Sequence, residues 1–99
     1  MNCLVGPVDL GHGVQIEFFV YHNDTDVYPV GLVERHSRAD NGKPCSGTIR
    51  FDTPEAHAAY STPGAFWQVV SWEPLHVEPS LLCTCGNHGF IRGGRWIPA

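Results

Sequence analysis

Apolar and polar residues alternate in several short stretches of this chain, which is the pattern of half-buried β-strands. The clearest stretch is VQIEFFVY at residues 14–21, and TIRFD at 48–52 alternates in the same way. Residues 30–34 form a weaker strand candidate, and FWQVVSW at 66–72 has the β-branched and aromatic composition of a central strand. These stretches predict a mostly β fold, an antiparallel sheet or sandwich.

Turn signals separate the predicted strands. The segment HNDTD at 22–26 contains Asn and Asp, whose side chains bond to their own backbone in turns, and SRADNGKP at 37–44 reads as a polar loop. Near the C-terminus GFIR and RWIP flank Gly93-Gly94, and such a pair favours a tight hairpin whose central residues have positive φ.

One short helix is predicted among the strands. Thr53 can cap its N-terminus, Pro54 suits the first helical position and Glu55 interacts favourably with the helix dipole. The helix should end before Pro63.

The chain has 99 residues and a formal net charge of −4, from six Lys and Arg against ten Asp and Glu. This length predicts a single domain, residues 1–99, with a modest core that gains from a cross-link. The acidic balance argues against broad binding to nucleic acid. We find neither a signal peptide nor an apolar run long enough for a membrane helix, and so predict a cytoplasmic protein or one that enters an assembly made in the cytoplasm.

Cysteine and histidine residues are concentrated in CTCGNH at 83–88. Thiols stay reduced in the cytoplasm, so clustered Cys and His there indicate a metal site or catalysis before a disulfide. Cys85 and His88 have a chelating C-x2-H spacing, whereas Cys83 joins them only if the chain turns between the cysteines. With Cys45, from the turn-like KPCSG, they make a Cys3His set for Zn²⁺.

His36, nine residues before Cys45, is an alternative ligand in this set. The zinc-binding half then spans roughly residues 36–99, and a zinc-stapled domain is expected. Cys3 has no neighbouring ligand and is interpreted as a partly buried thiol.

A nucleophilic interpretation stays open beside the metal site. Ser80, Cys83 or Cys85 can be activated by His88, but a triad needs a third group that the sequence does not place. We therefore assign no catalytic residue and no cofactor-binding residue besides the metal ligands. Several other residues are interpreted as ordinary surface or packing residues; these are His12, His22, His57, His76, the three tryptophans Trp67, Trp72 and Trp96, and Arg92 and Arg95.

The C-terminal half, about residues 45–99, resembles a family of small uncharacterised domains of actinobacteria and their tailed phages. The shared pattern consists of Trp67, Pro74-Leu75, Pro79-Ser80, Cys83, Cys85-Gly86, residues 88–92, Gly94 and Trp96. A more distant branch of this family lies beside bacterial ubiquitin-like conjugation genes and has an upstream cysteine-rich segment, to which Cys45 is similar. The family often has two residues between the paired cysteines, where this chain has Thr84 alone.

The resemblance implies a zinc-binding fold in a phage or actinobacterial setting, and no activity. Together with the acidic charge and the missing catalytic constellation, it leads us to expect a non-enzymatic module, a virion or host-directed accessory protein that binds another protein. Two alternatives are kept. One is a small hydrolase or peptidase that uses Ser80 or a cysteine with His88, or a three-ligand zinc that activates water. The other is a zinc-ribbon-like nucleic-acid binder.

Overall fold

The computed structural model describes residues 2–22, 26–38 and 40–99, and for residues 2–4 the backbone alone. This part of the chain contains eight strands and one short helix. In chain order they are β1 (Asn2–Gly11), β2 (Val14–His22), β3 (Val27–Ser37), β4 (Pro44–Arg50), α1 (Pro54–Ala59), β5 (Gln68–Trp72), β6 (Leu75–Leu82), β7 (His88–Arg92) and β8 (Arg95–Pro98).

The strands form two antiparallel four-stranded sheets. The first sheet has the order β1-β2-β3-β4 and the second has the order β5-β6-β7-β8, so each is a run of sequential hairpins. The predicted mostly β fold with one short helix is confirmed. Among the described residues, no helix has both the length and the apolar character that crossing a membrane requires.

The helix and the last hairpin form where the sequence predicts them. The Thr53 side chain accepts a hydrogen bond from the Ala56 backbone N–H at 3.1 Å, and Pro54 opens α1. Gly93 and Gly94, with φ of 59° and 71°, connect β7 to β8. Both angles lie in the left-handed region, where glycine carries no steric penalty.

Three strands differ from the sequence prediction. β1 was not predicted, because its two register shifts against β2 interrupt the alternation. β4 begins at Pro44, inside the predicted loop, since Ser37 pairs with Pro44 and His36 with Cys45. β6 continues past Pro79, and a register shift between Val77 and Leu81 accommodates this residue without a backbone N–H. Two predictions fall on parts that the structure does not describe: the Cys3 thiol, and residues 23–25 of the turn predicted at 22–26.

Apolar side chains from both sheets form a single core. Ile16, Leu32 and Phe51 contribute from the first half of the chain, and Val77 and Ile91 from the second; none of these five side chains is exposed to solvent. The core therefore depends on the two sheets staying together.

The two sheets meet along a line that we call the seam, where residues 44–51 face Trp67 and residues 81–87. At one end of the seam the Trp67 N–H donates to the Arg50 carbonyl, and the Asp52 N–H donates to the Trp67 carbonyl, both at 2.7 Å. These bonds accompany a parallel bridge between Phe51 and Trp67. Hydrogen bonds thus close one end of the seam, and the opposite end carries the cysteines.

Candidate metal centre

Four potential metal ligands converge at the cysteine end of the seam. They are His36 on β3, Cys45 on β4, and Cys83 and Cys85 in the loop between β6 and β7. One ligand atom from each residue lies within 4.8 Å of the ligand atoms of the other three. Two ligands come from the first sheet and two from the second, so an ion bound here would join the sheets.

The first pair of ligands is positioned by a hairpin. His36 and Cys45 are directly opposite each other in the antiparallel register of β3 and β4. Opposite residues in such a pair point to the same face of the sheet, so the imidazole and the thiol emerge side by side. His36 is buried, and Cys45 is partly exposed.

The second pair is positioned by a tight loop. The Gly86 N–H donates to the Cys83 carbonyl at 2.9 Å, and the Cys83 N–H donates to the Asn87 carbonyl at 2.8 Å. Gly86 has a φ of 97°, which favours glycine because a side chain would be strained there. The loop reverses the chain between the cysteines, and this reversal brings both thiols to one site although a single residue separates them.

A carboxylate fixes the imidazole of His36. Its Nδ1 lies 2.7 Å from Oε1 of Glu34, which is as buried as the ring itself, and its Nε2 lies 3.1 Å from Sγ of Cys85. A ring that donates from Nδ1 to Glu34 directs the lone pair of Nε2 toward the thiols. Metal-binding histidines are commonly oriented in this way, by a carboxylate on the nitrogen that does not bind metal.

The thiols differ in acidity because their hydrogen bonds differ. The backbone N–H of Asn87, followed by the ring of His36, lowers the pKa of Cys85 to about 6. The hydrogen bond to Cys83, followed by burial and Cys85, raises the pKa of Cys45 to about 11. Burial opposes charge on the His36 ring, yet its bonds to Cys85 and Glu34 outweigh this and raise its pKa. Burial raises the pKa of Glu34.

The spacing of the ligand atoms suits a tetrahedral ion. Zn–S bonds of about 2.3 Å place neighbouring ligand atoms about 3.5–3.8 Å apart around a tetrahedral centre. The Sγ atoms of Cys45 and Cys83 are 3.3 Å apart. This pair is therefore about half an ångström closer than zinc requires, and all four ligand atoms lie within 4.8 Å of one another. Three thiols and an imidazole can therefore bind a metal ion here.

His88 lies outside this cluster, and His36, the alternative ligand in the sequence analysis, occupies the fourth position. His88 begins β7, and the next residue, Gly89, is the one that faces the core. Alternation along the strand therefore directs the His88 ring outward. Its Nε2 lies 2.8 Å from Oγ of Ser80 on the exposed side of the second sheet.

Glu34 is a residue of the candidate centre that the sequence does not single out. It was included only in a weak strand candidate, although residues i and i+2 of a strand lie on the same face. The sequence Glu34-Arg-His36 therefore already places a carboxylate beside a histidine. A search for acidic residues two positions from a candidate strand ligand would have identified it.

The remaining candidates are found in ordinary contacts. Trp96 is buried, Trp67 packs against the core, and the half-exposed Trp72 meets Phe51 edge-on at 5.4 Å between ring centroids. Arg92 donates to Glu78, and His76 bonds the same carboxylate. His57 pairs with Asp52.

Comparison with protein-family models, curated proteins and solved structures finds no match to this chain.

Proposed function

We propose that this chain is a non-enzymatic, zinc-stabilised β-domain that acts by binding another protein. The observation that carries the proposal is the convergence of three thiols and one imidazole from both sheets. Four protein ligands complete the tetrahedral coordination of zinc and leave no position for a reactive water, which is the arrangement of structural rather than catalytic zinc.

Zinc is favoured over other ions by the donor set. Thiolates are soft ligands, and a tetrahedral site with three sulfur atoms and one nitrogen suits Zn²⁺, whereas Mg²⁺ and Ca²⁺ prefer oxygen. The small core adds a reason for the metal, because domains of this size have little stability in reserve. Zinc would close the seam at the end opposite the Trp67 hydrogen bonds.

The metal content of reduced, untagged protein tests the proposal. We expect about one zinc per chain, and cobalt substitution should give the absorption of tetrahedral thiolate coordination. His36→Ala should lose the ion, while the matched variant His88→Ala should retain it, because the His88 ring bonds Ser80 instead. Protein without zinc, or equal loss of zinc from both variants, would contradict the proposed site.

The partner and the biological setting are proposed on the resemblance of the C-terminal half. The family pattern favours a phage-encoded accessory protein, either within the virion or directed at a host protein.

The charged side chains disfavour binding to nucleic acid. Arg35, Arg38 and Arg92 each pair with a carboxylate, and Arg50 is held by Thr62 and aromatic rings. These pairs leave few free cations for phosphates.

One contact favours a hydrolase as a second candidate function. Ser80 and His88 lie within hydrogen-bond distance, as a nucleophile and its base would. Within the described residues no carboxylate bonds the His88 ring to orient it. Turnover of chromogenic ester and peptide substrates that Ser80→Ala abolishes would establish this candidate in place of a purely binding role.

A further inference from the structure

The middle of the seam contains an open strand edge. The Phe51 N–H donates to the Val30 carbonyl at 2.9 Å, so the backbone groups of odd-numbered residues here face β3. Arg50 and Asp52 bond Trp67 on the opposite side. Backbone groups alternate sides along a strand, and the register of β3 with β4 is unbroken, so Ser46 and Thr48 also present N–H and C=O groups away from β3.

These groups have no backbone partner within the described part of the chain. β4 pairs with β3 alone, and the two bonds to Trp67 involve Arg50 and Asp52. Ser46 and Thr48 are both exposed. The hydrogen bonds at Trp67 and the metal ligand Cys45 lie on either side of this edge, so it is a gap of limited length in an otherwise closed seam.

Two hollows lie beside Thr48, one on each side of the sheet. A cavity of about 70 Å³ is lined by Gly47, Thr48 and Ile49 on one wall and by Leu81 and Leu82 on the other. A more open groove next to the helix is lined by Thr48, Ile49, Tyr60 and Pro63. Residues of an added strand point alternately to the two sides of the sheet, so each hollow is placed to receive alternate side chains of that strand.

A buried amide across the gap also lacks a hydrogen-bond partner. Asn87 lines the smaller cavity, and its Nδ2 is buried without an acceptor. An unsatisfied buried donor is unfavourable, so such a group favours a ligand that brings an acceptor. The carbonyl of a peptide backbone is an acceptor of this kind.

We infer that the open edge of β4 at Ser46 and Thr48 binds an extended peptide segment of a partner protein by strand addition. This inference rests on the proposed function and specifies its mode of binding. The backbone of the segment bonds Ser46 and Thr48, and a small apolar side chain, of about the size of valine, enters the cavity between the sheets. The unpaired backbone donors and acceptors select an extended main chain over other ligands.

The experiment uses zinc-loaded protein and a library of acetylated, amidated pentapeptides, Thr-X-Thr-X-Thr, in which X is each apolar residue. Amide NMR should show rapid hydrogen exchange at Ser46 and Thr48 in the free protein. Peptides in which X is small should cause saturable chemical-shift changes at the Ser46 and Thr48 amides and at the Asn87 side chain. The same peptides should slow hydrogen exchange at the two backbone amides. N-methylation of one alternate set of peptide residues should abolish binding.

Two variants of one position provide the control. Of the backbone hydrogen-bonding groups, Thr48→Pro removes the outward N–H alone, since odd-numbered residues make the bonds to β3, and it should weaken binding about tenfold or more. Thr48→Val keeps the donor and should bind as the parent does. Zinc content measured on both variants separates this inference from the metal site. Slow exchange in free protein, no saturable shift with any peptide, or equal binding by both variants overturns the inference while zinc binding stands.

Discussion

At the residue scale, Glu34 orients the imidazole of His36 in the candidate centre through a hydrogen bond of 2.7 Å. A buried carboxylate without a partner is unfavourable, and His36 is the partner that the structure gives it. The same bond sets the tautomer of the ring. In the proposed zinc site, Glu34 would therefore affect metal affinity without itself contacting the ion.

We expect Glu34→Gln to weaken zinc binding by about 10–100-fold, because an amide is a poorer acceptor for the His36 N–H than a carboxylate. Competition with a chromophoric zinc chelator measures the change. The matched control is Glu17→Gln on β2, whose carboxylate pairs with Arg35 on the surface. A Glu34 variant with the affinity of the parent would exclude this role.

The sequence was more informative about ligand types than about their geometry. Cys45, Cys83 and Cys85 were identified from residue type and spacing, and all three lie in the cluster. The choice between His36 and His88 depends on where β7 begins and on which face of it points inward. The short C-x2-H spacing of Cys85 and His88 carries no information about a ligand in the other sheet, 49 residues away from Cys85.

At the scale of elements, close packing in the second sheet depends on a glycine. A Cβ on Gly89 in β7 would lie 2.5 Å from two ring atoms of Trp96 in β8. Real Cβ atoms essentially never approach so closely, and Trp96 is buried, so its ring has little room to move.

Gly89→Ala should therefore lower the free energy of unfolding by about 1–3 kcal/mol, the usual cost of overpacking a core. Urea denaturation provides the measurement. Gly47→Ala in β4 is the matched control, because a Cβ there meets nothing within 4 Å. Similar losses in the two variants would show that the clash with Trp96 is not the cause.

A network of surface hydrogen bonds on the second sheet, centred on Glu78, should make a pH-dependent contribution to the stability of the fold. The bond from His76, followed by that from Arg92, lowers the pKa of Glu78 below its ordinary 4.5. The folded state thus favours the ionised form, so the contribution is present above pH 4.5 and is lost as the pH falls through the lowered pKa.

Glu78→Gln should melt at a lower temperature than the parent at pH 6, and the two melting temperatures should converge as the pH falls below 4.5 and through the lowered pKa of Glu78. Calorimetry of both proteins across this range measures the difference, in which acid effects common to both cancel. A difference independent of pH would indicate a steric rather than an electrostatic effect.

At the scale of the whole molecule, the alternation of residues along short segments predicted the class of fold, but not how the two sheets are joined. Each sheet is made of neighbouring hairpins, which local patterns can indicate. The seam depends on contacts such as Phe51 with Trp67, between residues with no local relation in sequence. β1 was missed because its bulges disrupt the only signal available.

Removal of the metal should act on the whole domain. A strong chelator at neutral pH should change the fluorescence of Trp67 and Trp96, which lie near the seam, and should lower the melting temperature by about 10 °C or more. Chelator already saturated with zinc is the control. Zinc release with an unchanged thermal transition would show that the metal does not hold the sheets together.

The location of the centre also affects the order of folding. The ligands join positions 38 and 49 residues apart, whereas each sheet forms from contacts between sequence neighbours. Local hairpins form quickly, and closing long loops is slow because more chain entropy is lost first. We expect the two halves to form early and to dock in a later step that zinc accelerates. Refolding at increasing zinc concentrations should then quicken one slow phase and leave the fast phase unchanged.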